Sequence, residues 1–313
     1  MEYRKLGTSD LSVSLIGLGC NNFSSRIDMN TSKLVIEKAL DLGVNFFDTA
    51  DVYGGRGGSE QYLGEILGSD RKKIILATKF AMPMDDSGNL SGASREYINK
   101  AIEGSLKRLK TDWIDLYQVH RPDQTVLPDE TMYALNDLVS QGKVRYIGCS
   151  NYSPKQLIDS QNIFKHDKSK MFISCQDEYS LLVRDIEKEF TDTLRSFNMG
   201  LLPYFPLASG LLSGKYNRNE GFPENSRFSV WSQLSVRYMT EENWSKIFNL
   251  EKFCKTNGIK LLDLALRWLA SKPFVSSIIA GATSPKQVSE NVASLSKKIT
   301  DSQLKEAEVI TRS

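Results

Sequence analysis

Short apolar runs alternate along this chain with longer amphipathic stretches, and this alternation constrains the fold more than any other feature. Eight runs have the length and composition of buried strands. They lie at residues 15–19, 45–47, 74–78, 114–119, 144–148, 172–175, 200–205 and 275–280. The segments between them carry apolar residues at helical spacing, as in TSKLVIEKALDLG (31–43), where Gly43 marks the predicted helix end. Strands separated by helices predict parallel βαβ units.

Eight such units on 313 residues fit an α/β fold of the closed (β/α)8 TIM-barrel type better than an open sheet. Two short extended pieces around Gly7 and Asp10 predict an N-terminal β-hairpin that lies under the barrel. The segment after the seventh strand is longer than the others and predicts an insertion, LASGLLSGKYNRNEGFPENSRFS (207–229), followed by two helices. No linker, charge block or low-complexity segment divides the chain, so we expect a single domain over residues 1–313.

The main alternative is a doubly wound dinucleotide-binding fold, which places G-x-G-x-x-G after an early strand. The segment GLGCNN (17–22) has the first two glycines, but Asn22 stands where the third belongs. The segment GGRGG (54–58) has neither this spacing nor a GK[ST] ending. We interpret both as close turns, so the alternative has weak support.

Composition narrows the classes of partner. Forty Lys and Arg residues against 38 Asp and Glu residues leave a net charge of +2, which offers no electrostatic basis for binding nucleic acid or an acidic membrane. Four scattered cysteines and two histidines show no metal-ligand spacing, so we expect no metal site and reduced thiols. The chain has no signal-peptide pattern near Met1 and no run of about 18 apolar residues. We therefore expect a cytoplasmic protein.

Polar side chains follow the ends of the predicted strands. Asp48, Asp51 and Tyr53 come after the second run. The ends of later runs carry Thr78-Lys79, His120, Ser150-Asn151, Gln176, Tyr204 and Gly281-Ala282-Thr283. Active groups of a (β/α)8 barrel gather where its strands end and its loops begin. The convergence of these side chains on one rim predicts an active site.

The residue types at this rim suit proton delivery to an oxygen. A tyrosine has an ordinary pKa of about 10, and a buried ammonium beside it lowers that pKa. Lys79 would supply the ammonium for Tyr53, and Asp48 would hold it charged. His120 would hydrogen-bond a carbonyl oxygen. Such an oxygen becomes negative as a hydride reaches its carbon. These four groups together would stabilise that oxygen and give it a proton.

Six motifs, taken in order, resemble the aldo-keto reductase superfamily. They are DTADVYG (48–54), ATKF (77–80), YQVHRPD (117–123), RYIGCSNYS (145–153), CQDEYSLL (175–182) and GATSPKQVSEN (281–291). The matches extend over nearly the whole chain, and the Q-x-E-Y-S-L-L segment is similar to the bacterial and potassium-channel-β-subunit branch.

The resemblance implies that Tyr53 is the general acid, aided by Asp48, Lys79 and His120. It also implies a nicotinamide cofactor that supplies the hydride. The implied contacts to its nicotinamide are Ser150, Asn151, Gln176 and Tyr204. Those to its pyrophosphate are Leu207, Gly210, Leu212, Lys215 and Arg227. Those to its adenosine are Gly281, Thr283, Gln287, Glu290 and Asn291.

Two departures from the family pattern bear on the cofactor. Phe205 stands where many members carry serine, beside the residue that would stack under the nicotinamide. Many NADP-preferring members also place Lys or Arg close to the adenosine 2′-phosphate, whereas this chain offers Thr283 and Lys286. Ser284-Pro285 opens a helix whose unsatisfied amides can bind a phosphate. We therefore expect NADP(H) to be favoured, with NAD(H) open.

The resemblance implies a reductase of aldehydes, with ketones and sugars open as further substrates. We expect a small-molecule carbonyl substrate and an apolar pocket of broad specificity. One alternative is an NADP(H)-binding regulatory subunit with slow turnover, as in the branch that the chain resembles. Another is a lyase that uses Lys79 as a Schiff-base nucleophile, which the charged state imposed by Asp48 and Tyr53 disfavours. The sequence makes no prediction of oligomeric state.

Overall fold

The structure is a computed structural model that describes residues 1–218, 227–230 and 232–312, with the backbone alone at 227, 230 and 232. Within these residues the strands are β1 Tyr3–Lys5, β2 Ser12–Ser14, β3 Ile16–Gly19, β4 Phe46–Asp48, β5 Ile75–Phe80, β6 Ile114–Val119, β7 Val144–Ser150, β8 Ser174–Glu178, β9 Gly200–Tyr204 and β10 Ile278–Gly281. The helices are α1 Met29–Asp41, α2 Tyr53–Leu67, α3 Arg95–Leu109, α4 Pro128–Ser140, α5 Pro154–Ile163, α6 Phe190–Ser196, α7 Arg227–Val230, α8 Ser232–Tyr238, α9 Glu241–Asn257, α10 Leu261–Ala270, α11 Pro285–Ser294 and α12 Asp301–Arg312.

Strands β3 to β10 form one parallel sheet in the order β10-β3-β4-β5-β6-β7-β8-β9. A parallel bridge between Leu201 of β9 and Val275, just before β10, links the two ends of this sheet. The sheet is therefore a nearly closed barrel flanked by helices, which confirms the predicted (β/α)8 fold. The eighth barrel strand begins at Ile278 rather than at Val275 as predicted, because the chain at Val275 pairs only through that single bridge.

The predicted N-terminal hairpin is also confirmed. Strands β1 and β2 pair antiparallel, with Tyr3 opposite Ser14. Leu6, Leu11 and Val13 of this hairpin are buried against inward-facing side chains of the barrel, namely Phe46, Ala77, Leu116, Ile173, Leu202 and Ile279. Burying apolar area of this kind stabilises the fold by about 25 cal/mol per Å². The hairpin thus seals one end of the barrel and leaves the carboxyl ends of the strands for a site.

The segment GGRGG begins α2 with an irregular turn. Residues 54–57 have φ values of 69°, 75°, 69° and 113°. Glycine, which stands at 54, 55 and 57, adopts this region without strain, and Arg56 adopts it as well. A Cβ at Gly54 would lie 2.6 Å from the carbonyl oxygen of Phe23 and from the amide nitrogen of Ser59. This close turn, not a phosphate loop, holds Tyr53 at the end of β4.

Two helices begin with the predicted Ser-Pro pair. Ser153 caps α5, and its side chain and that of Gln156 accept hydrogen bonds from each other's backbone amides. Ser284 caps α11 by accepting from the amide of Gln287. These caps fix the directions in which both helices leave the barrel rim.

The predicted insertion (207–229) lies between β9 and β10, and α7 begins at its end. In the described part of the chain, α8, α9 and α10 follow it, where two helices were predicted. Residues 219–226 of that insertion, and Trp231, lie outside the described residues. Among the helices that the structure describes, none is both long and apolar enough to cross a membrane. The organisation of residues 1–313 as one domain stays a prediction.

Candidate active site

The carboxyl ends of the barrel strands surround a cavity of about 830 Å³. Side chains predicted for the site come from consecutive strands: Asp48 of β4, Lys79 of β5, His120 after β6, Ser150 of β7, Gln176 of β8 and Tyr204 of β9. The strand register brings neighbours together, as in the pairing of Ser150 with Gln176. A parallel barrel therefore converts residues distant in the sequence into one rim.

A buried ion pair forms the floor of this site. The Nζ atom of Lys79 donates to Oδ2 of Asp48 at 2.6 Å and to the carbonyl oxygen of Thr49 at 2.9 Å. Burial lowers the pKa of Lys79, but the Asp48 carboxylate and the hydrogen-bonded Tyr53 phenol raise it by more, so that the net pKa lies above its ordinary value. Lys79 is consequently an ammonium at neutral pH.

Two glutamines complete the surroundings of Asp48. The Nε2 atoms of Gln118 and Gln176 donate to its Oδ1 atom at 3.1 Å and 2.8 Å. Together with Lys79, they give the carboxylate three donors. Sequence reasoning missed Gln118, although a polar residue inside the apolar run IDLYQV was a usable signal. These donors fix the orientation of the carboxylate that holds Lys79.

Tyr53 and His120 lie side by side at the wall of the cavity. Their ring centroids are 5.6 Å apart with an edge-to-face angle of 84°, and Nζ of Lys79 lies 5.1 Å from the Tyr53 ring centroid. Burial, together with the charges of Lys79 and Arg121, lowers the pKa of His120 well below its usual value. In the part of the chain that the structure describes, the buried Nδ1 atom of His120 has no hydrogen-bond partner. The imidazole is therefore neutral at physiological pH.

Asn151 ties three strand ends together. It has a left-handed backbone conformation, with φ of 60°, which is uncommon for a residue other than glycine. Its Nδ2 atom donates to the carbonyl oxygen of His120 and to Oγ of Ser150, both at 2.9 Å, and its Oδ1 atom accepts from the Tyr204 hydroxyl at 2.9 Å. Strained residues of this kind concentrate at functional sites, where surrounding contacts hold them.

The far end of the cavity lies at the beginning of α11. The amide of Thr283 donates to Oε1 of Gln287 at 2.8 Å, next to the Ser284 cap. The exposed Lys286 side chain lies 3.8 Å from the Glu290 carboxylate one turn later. The first amides of a helix and its dipole favour an anion at this position.

Most of the residues predicted to bind the cofactor line this cavity. They are Ser150, Asn151, Gln176, Tyr204, Leu207, Gly210, Lys215, Gly281, Thr283, Gln287, Glu290 and Asn291. The side chain of Leu212 instead lies in the hydrophobic core. Arg227 begins α7, and its side chain lies outside the described residues. Lys79 is fully buried behind the cavity wall and reaches the site through Asp48 and Tyr53.

The lining of the cavity differs from the apolar pocket expected from the sequence. Asn21, Arg26, Met82 and Arg121 line it, from the loops that follow β3, β5 and β6. Sequence reasoning missed these residues because their side chains reach the cavity through loop conformations, which no periodicity encodes. The wall therefore presents cations and an amide as well as apolar groups.

Comparisons with known proteins show which family the chain resembles. Residues 15–312 match the model of the Aldo/keto reductase family. A probable voltage-gated potassium channel subunit beta of Oryza sativa subsp. japonica is 35% identical over 94% of this chain and 91% of its own length. An L-glyceraldehyde 3-phosphate reductase of Escherichia coli (strain K12) is 33% identical over 94% of this chain and 88% of its own length. An uncharacterized oxidoreductase of Bacillus subtilis (strain 168), YqkF, is 33% identical over 97% of this chain and 95% of its own length.

Proteins of this family generally use NAD(P)H and act on small carbonyl compounds. The family match and the relatives named as oxidoreductases support an oxidoreductase. The match covers nearly the whole barrel, including every strand that carries the rim residues. The chain belongs to the aldo/keto reductase family.

Proposed function

We propose that the protein is a cytoplasmic NADP(H)-dependent reductase that converts aldehydes to alcohols, with ketones and sugars as further substrates. One observation carries this proposal: the Tyr53 ring lies 5.1 Å from the Lys79 ammonium and 5.6 Å from the neutral His120 ring, at the wall of a large cavity. This arrangement suits the transfer of a proton to a carbonyl oxygen.

Each residue at the rim has a distinct task in this proposal. Tyr53 donates the proton, and Lys79 stabilises the phenolate that remains. Asp48 holds Lys79 in place through the 2.6 Å contact. His120, being neutral, directs a nitrogen to the carbonyl oxygen without competing for its proton. A bound nicotinamide supplies the hydride.

The rest of the cavity supports a dinucleotide. Ser150, Asn151 and Gln176 offer polar groups beside the rim, and Tyr204 offers an aromatic face next to them. The beginning of α11 lines the same cavity and suits the phosphates of the dinucleotide. We propose NADP(H) over NAD(H) on this ground. Lys286 adds little to the preference, because Glu290 lies close to its ammonium.

Replacing Tyr53 with Phe tests the proposal. We expect NADPH to bind with unchanged affinity, measured by its fluorescence, while the rate of NADPH oxidation with an aromatic aldehyde falls at least about 100-fold, as the loss of a general acid requires. Tyr133→Phe is a matched control, since Tyr133 is an exposed tyrosine of α4. Undiminished turnover in Tyr53→Phe would refute the role of Tyr53.

The second candidate is an NADP(H)-binding regulatory subunit with slow turnover. The similarity to a relative named as a probable potassium channel subunit beta favours it. The same rim and cavity serve both functions, so kinetics must separate them. Tight NADPH binding together with turnover limited by cofactor release would support the regulatory subunit. Fast multiple turnover with aldehydes would support the reductase.

A lyase that forms a Schiff base at Lys79 has less support. Its lysine must be neutral and reachable, whereas Lys79 is charged and fully buried against Asp48. Borohydride treatment in the presence of a carbonyl substrate tests this directly. A covalent adduct at Lys79 would overturn the reductase proposal.

A further inference from the structure

One wall of the cavity carries an arginine that directly follows a proposed catalytic residue. Arg121 comes immediately after His120, at the carboxyl end of β6, and lines the same cavity as Tyr53. Its charge also acts on the His120 ring, where it helps to disfavour protonation. The guanidinium therefore lies close to the place where a carbonyl oxygen would meet Tyr53 and His120.

Arg121 differs from most of the described arginines in its ionic contacts. Within residues 1–218, 227–230 and 232–312, its guanidinium makes no ion pair, while many other arginines are paired. The paired ones include Arg56, Arg71, Arg95, Arg108, Arg145, Arg184, Arg195 and Arg237.

The carboxylate nearest to Arg121 in the sequence has other partners. Oδ1 of Asp123 accepts from the amide and the hydroxyl of Thr125, at 2.9 Å and 2.7 Å. Its Oδ2 atom accepts from the amide of Ala93 at 2.9 Å. Asp123 thus shapes the loop after β6, and in the described part of the chain it forms no ion pair with Arg121.

The charges of the cavity wall favour an anion at this end. Among the described lining residues, the carboxylates are Asp48 and Glu290. Asp48 already accepts from three donors, and Glu290 lies on α11 at the opposite end. Arg26 adds a second guanidinium to the lining. An unbalanced guanidinium in a concave wall attracts carboxylate and phosphate groups.

We propose that Arg121 is a specificity-determining residue that selects carbonyl substrates bearing a carboxylate or phosphate group a few atoms from the aldehyde. This inference rests on the proposed reductase function. The guanidinium binds the anionic oxygens through paired hydrogen bonds, while Tyr53 and His120 contact the carbonyl oxygen. The anionic group takes no part in the chemistry: the carbonyl carbon gains a hydride from NADPH, its oxygen gains a proton, and NADP⁺ is released.

Matched pairs of aldehydes test this selection. Succinic semialdehyde against butanal measures the effect of a carboxylate, and glyceraldehyde 3-phosphate against glyceraldehyde measures that of a phosphate. We expect kcat/KM with NADPH to favour the charged member of at least one pair tenfold or more. The pair with the larger ratio identifies which anion the site takes.

Variants of Arg121 then separate a direct contact with the substrate anion from attraction by the net charge of the protein. We expect Arg121→Gln to lower the charged-to-neutral ratio at least tenfold, and Arg121→Lys to restore part of it, since lysine keeps the charge but loses the paired geometry. Arg195→Gln is the matched control, because Arg195 lies on the exposed face of α6 and its loss changes the net charge equally. Its charged-to-neutral ratio should equal that of the wild type.

The outcomes of the two proposals are distinguishable. Reduction of both members of each pair with equal kcat/KM, or a preference that persists in Arg121→Gln, would overturn the role of Arg121 and leave the reductase intact. If no aldehyde is reduced, the reductase proposal fails. Calorimetric titration of the protein with NADP⁺ present, using glycerol 3-phosphate and 4-hydroxybutyrate, then decides the inference. Binding that Arg121→Gln weakens tenfold supports it, and absent or unchanged binding overturns it.

Discussion

Asp51 lies between β4 and Tyr53 and is buried, with 1% of its surface exposed. Neither of its carboxyl oxygens has a hydrogen-bond partner in the described part of the chain. Burial raises the pKa of Asp51 to about 8, and the Glu60 carboxylate adds to this, while Arg108 and Lys79 act in the opposite direction. Asp51 therefore keeps its proton in the folded protein at neutral pH, and Asn is its closest uncharged replacement.

The size of the effect follows from proton linkage. The unfolded chain loses this proton near its ordinary pKa of 3.8, whereas the folded protein keeps it up to a pH of about 8. Between these values the unfolded state binds fewer protons, so the free energy of unfolding falls as the pH rises, by about 1.4 kcal/mol per pH unit. From pH 5 to pH 7.5 this amounts to about 3 kcal/mol. Asp51→Asn abolishes this loss.

Urea unfolding followed by tryptophan fluorescence, at pH 5, 6, 7 and 7.5, measures the difference between variant and wild type. We expect Asp51→Asn to gain about 3 kcal/mol relative to the wild type over this range. Asp192→Asn removes an exposed carboxylate of α6 and serves as the control, for which we expect a constant difference. Parallel curves for Asp51→Asn and the wild type would refute the reasoning, because Asp51 would then ionise alike in both states.

Two further predictions concern groups that the site depends on. Arg108→Leu removes the cationic partner, 2.7 Å away, of the fully buried Glu60 carboxylate and should lower the free energy of unfolding by about 3–5 kcal/mol in urea titrations at pH 7. A loss that Glu60→Gln in the same chain does not relieve would contradict this explanation. Gln118→Met removes one donor from Asp48 and should lower kcat about tenfold, since a hydrogen bond to a charged group contributes about 1.5 kcal/mol. The dissociation constant of NADPH should stay unchanged, and an unaltered kcat would show that Gln176 and Lys79 suffice to orient the carboxylate.

Much of the fold was predictable because the sequence patterns that produce its strands and helices are local. The alternation of apolar runs and amphipathic helices persists along the chain, so eight parallel strands followed. The observed strand boundaries differ from the predicted ones where a residue pairs through a single bridge, as at Val275, because the end of a strand depends on its neighbouring strands. The two Ser-Pro helix starts were visible for the same local reason, since a cap and its helix are a few residues apart.

The rim residues were predictable by topology. Because the carboxyl ends of parallel barrel strands meet at one rim, Asp48, His120 and Gln176 must lie near one another, independently of the loop conformations. The hydrogen-bond partners of these rim residues were harder to predict from the sequence. The convergence of Gln118 and Gln176 on one oxygen of Asp48 depends on which side chains of two strands face inward at the same height. That is set by the stagger of the barrel, which periodicity in one strand does not contain.

The sequence by itself determined the barrel, its hairpin and the set of polar and titratable side chains at its rim, because periodicity and connectivity are properties of the chain. Only the tertiary structure decided the charge state and the surroundings of those groups. Among the described residues, it placed Asp51 away from any hydrogen-bond partner and left Arg121, at the cavity, without an ion pair. The physical reason is that burial and electrostatics arise from residues far apart in the sequence, which only folding brings into contact.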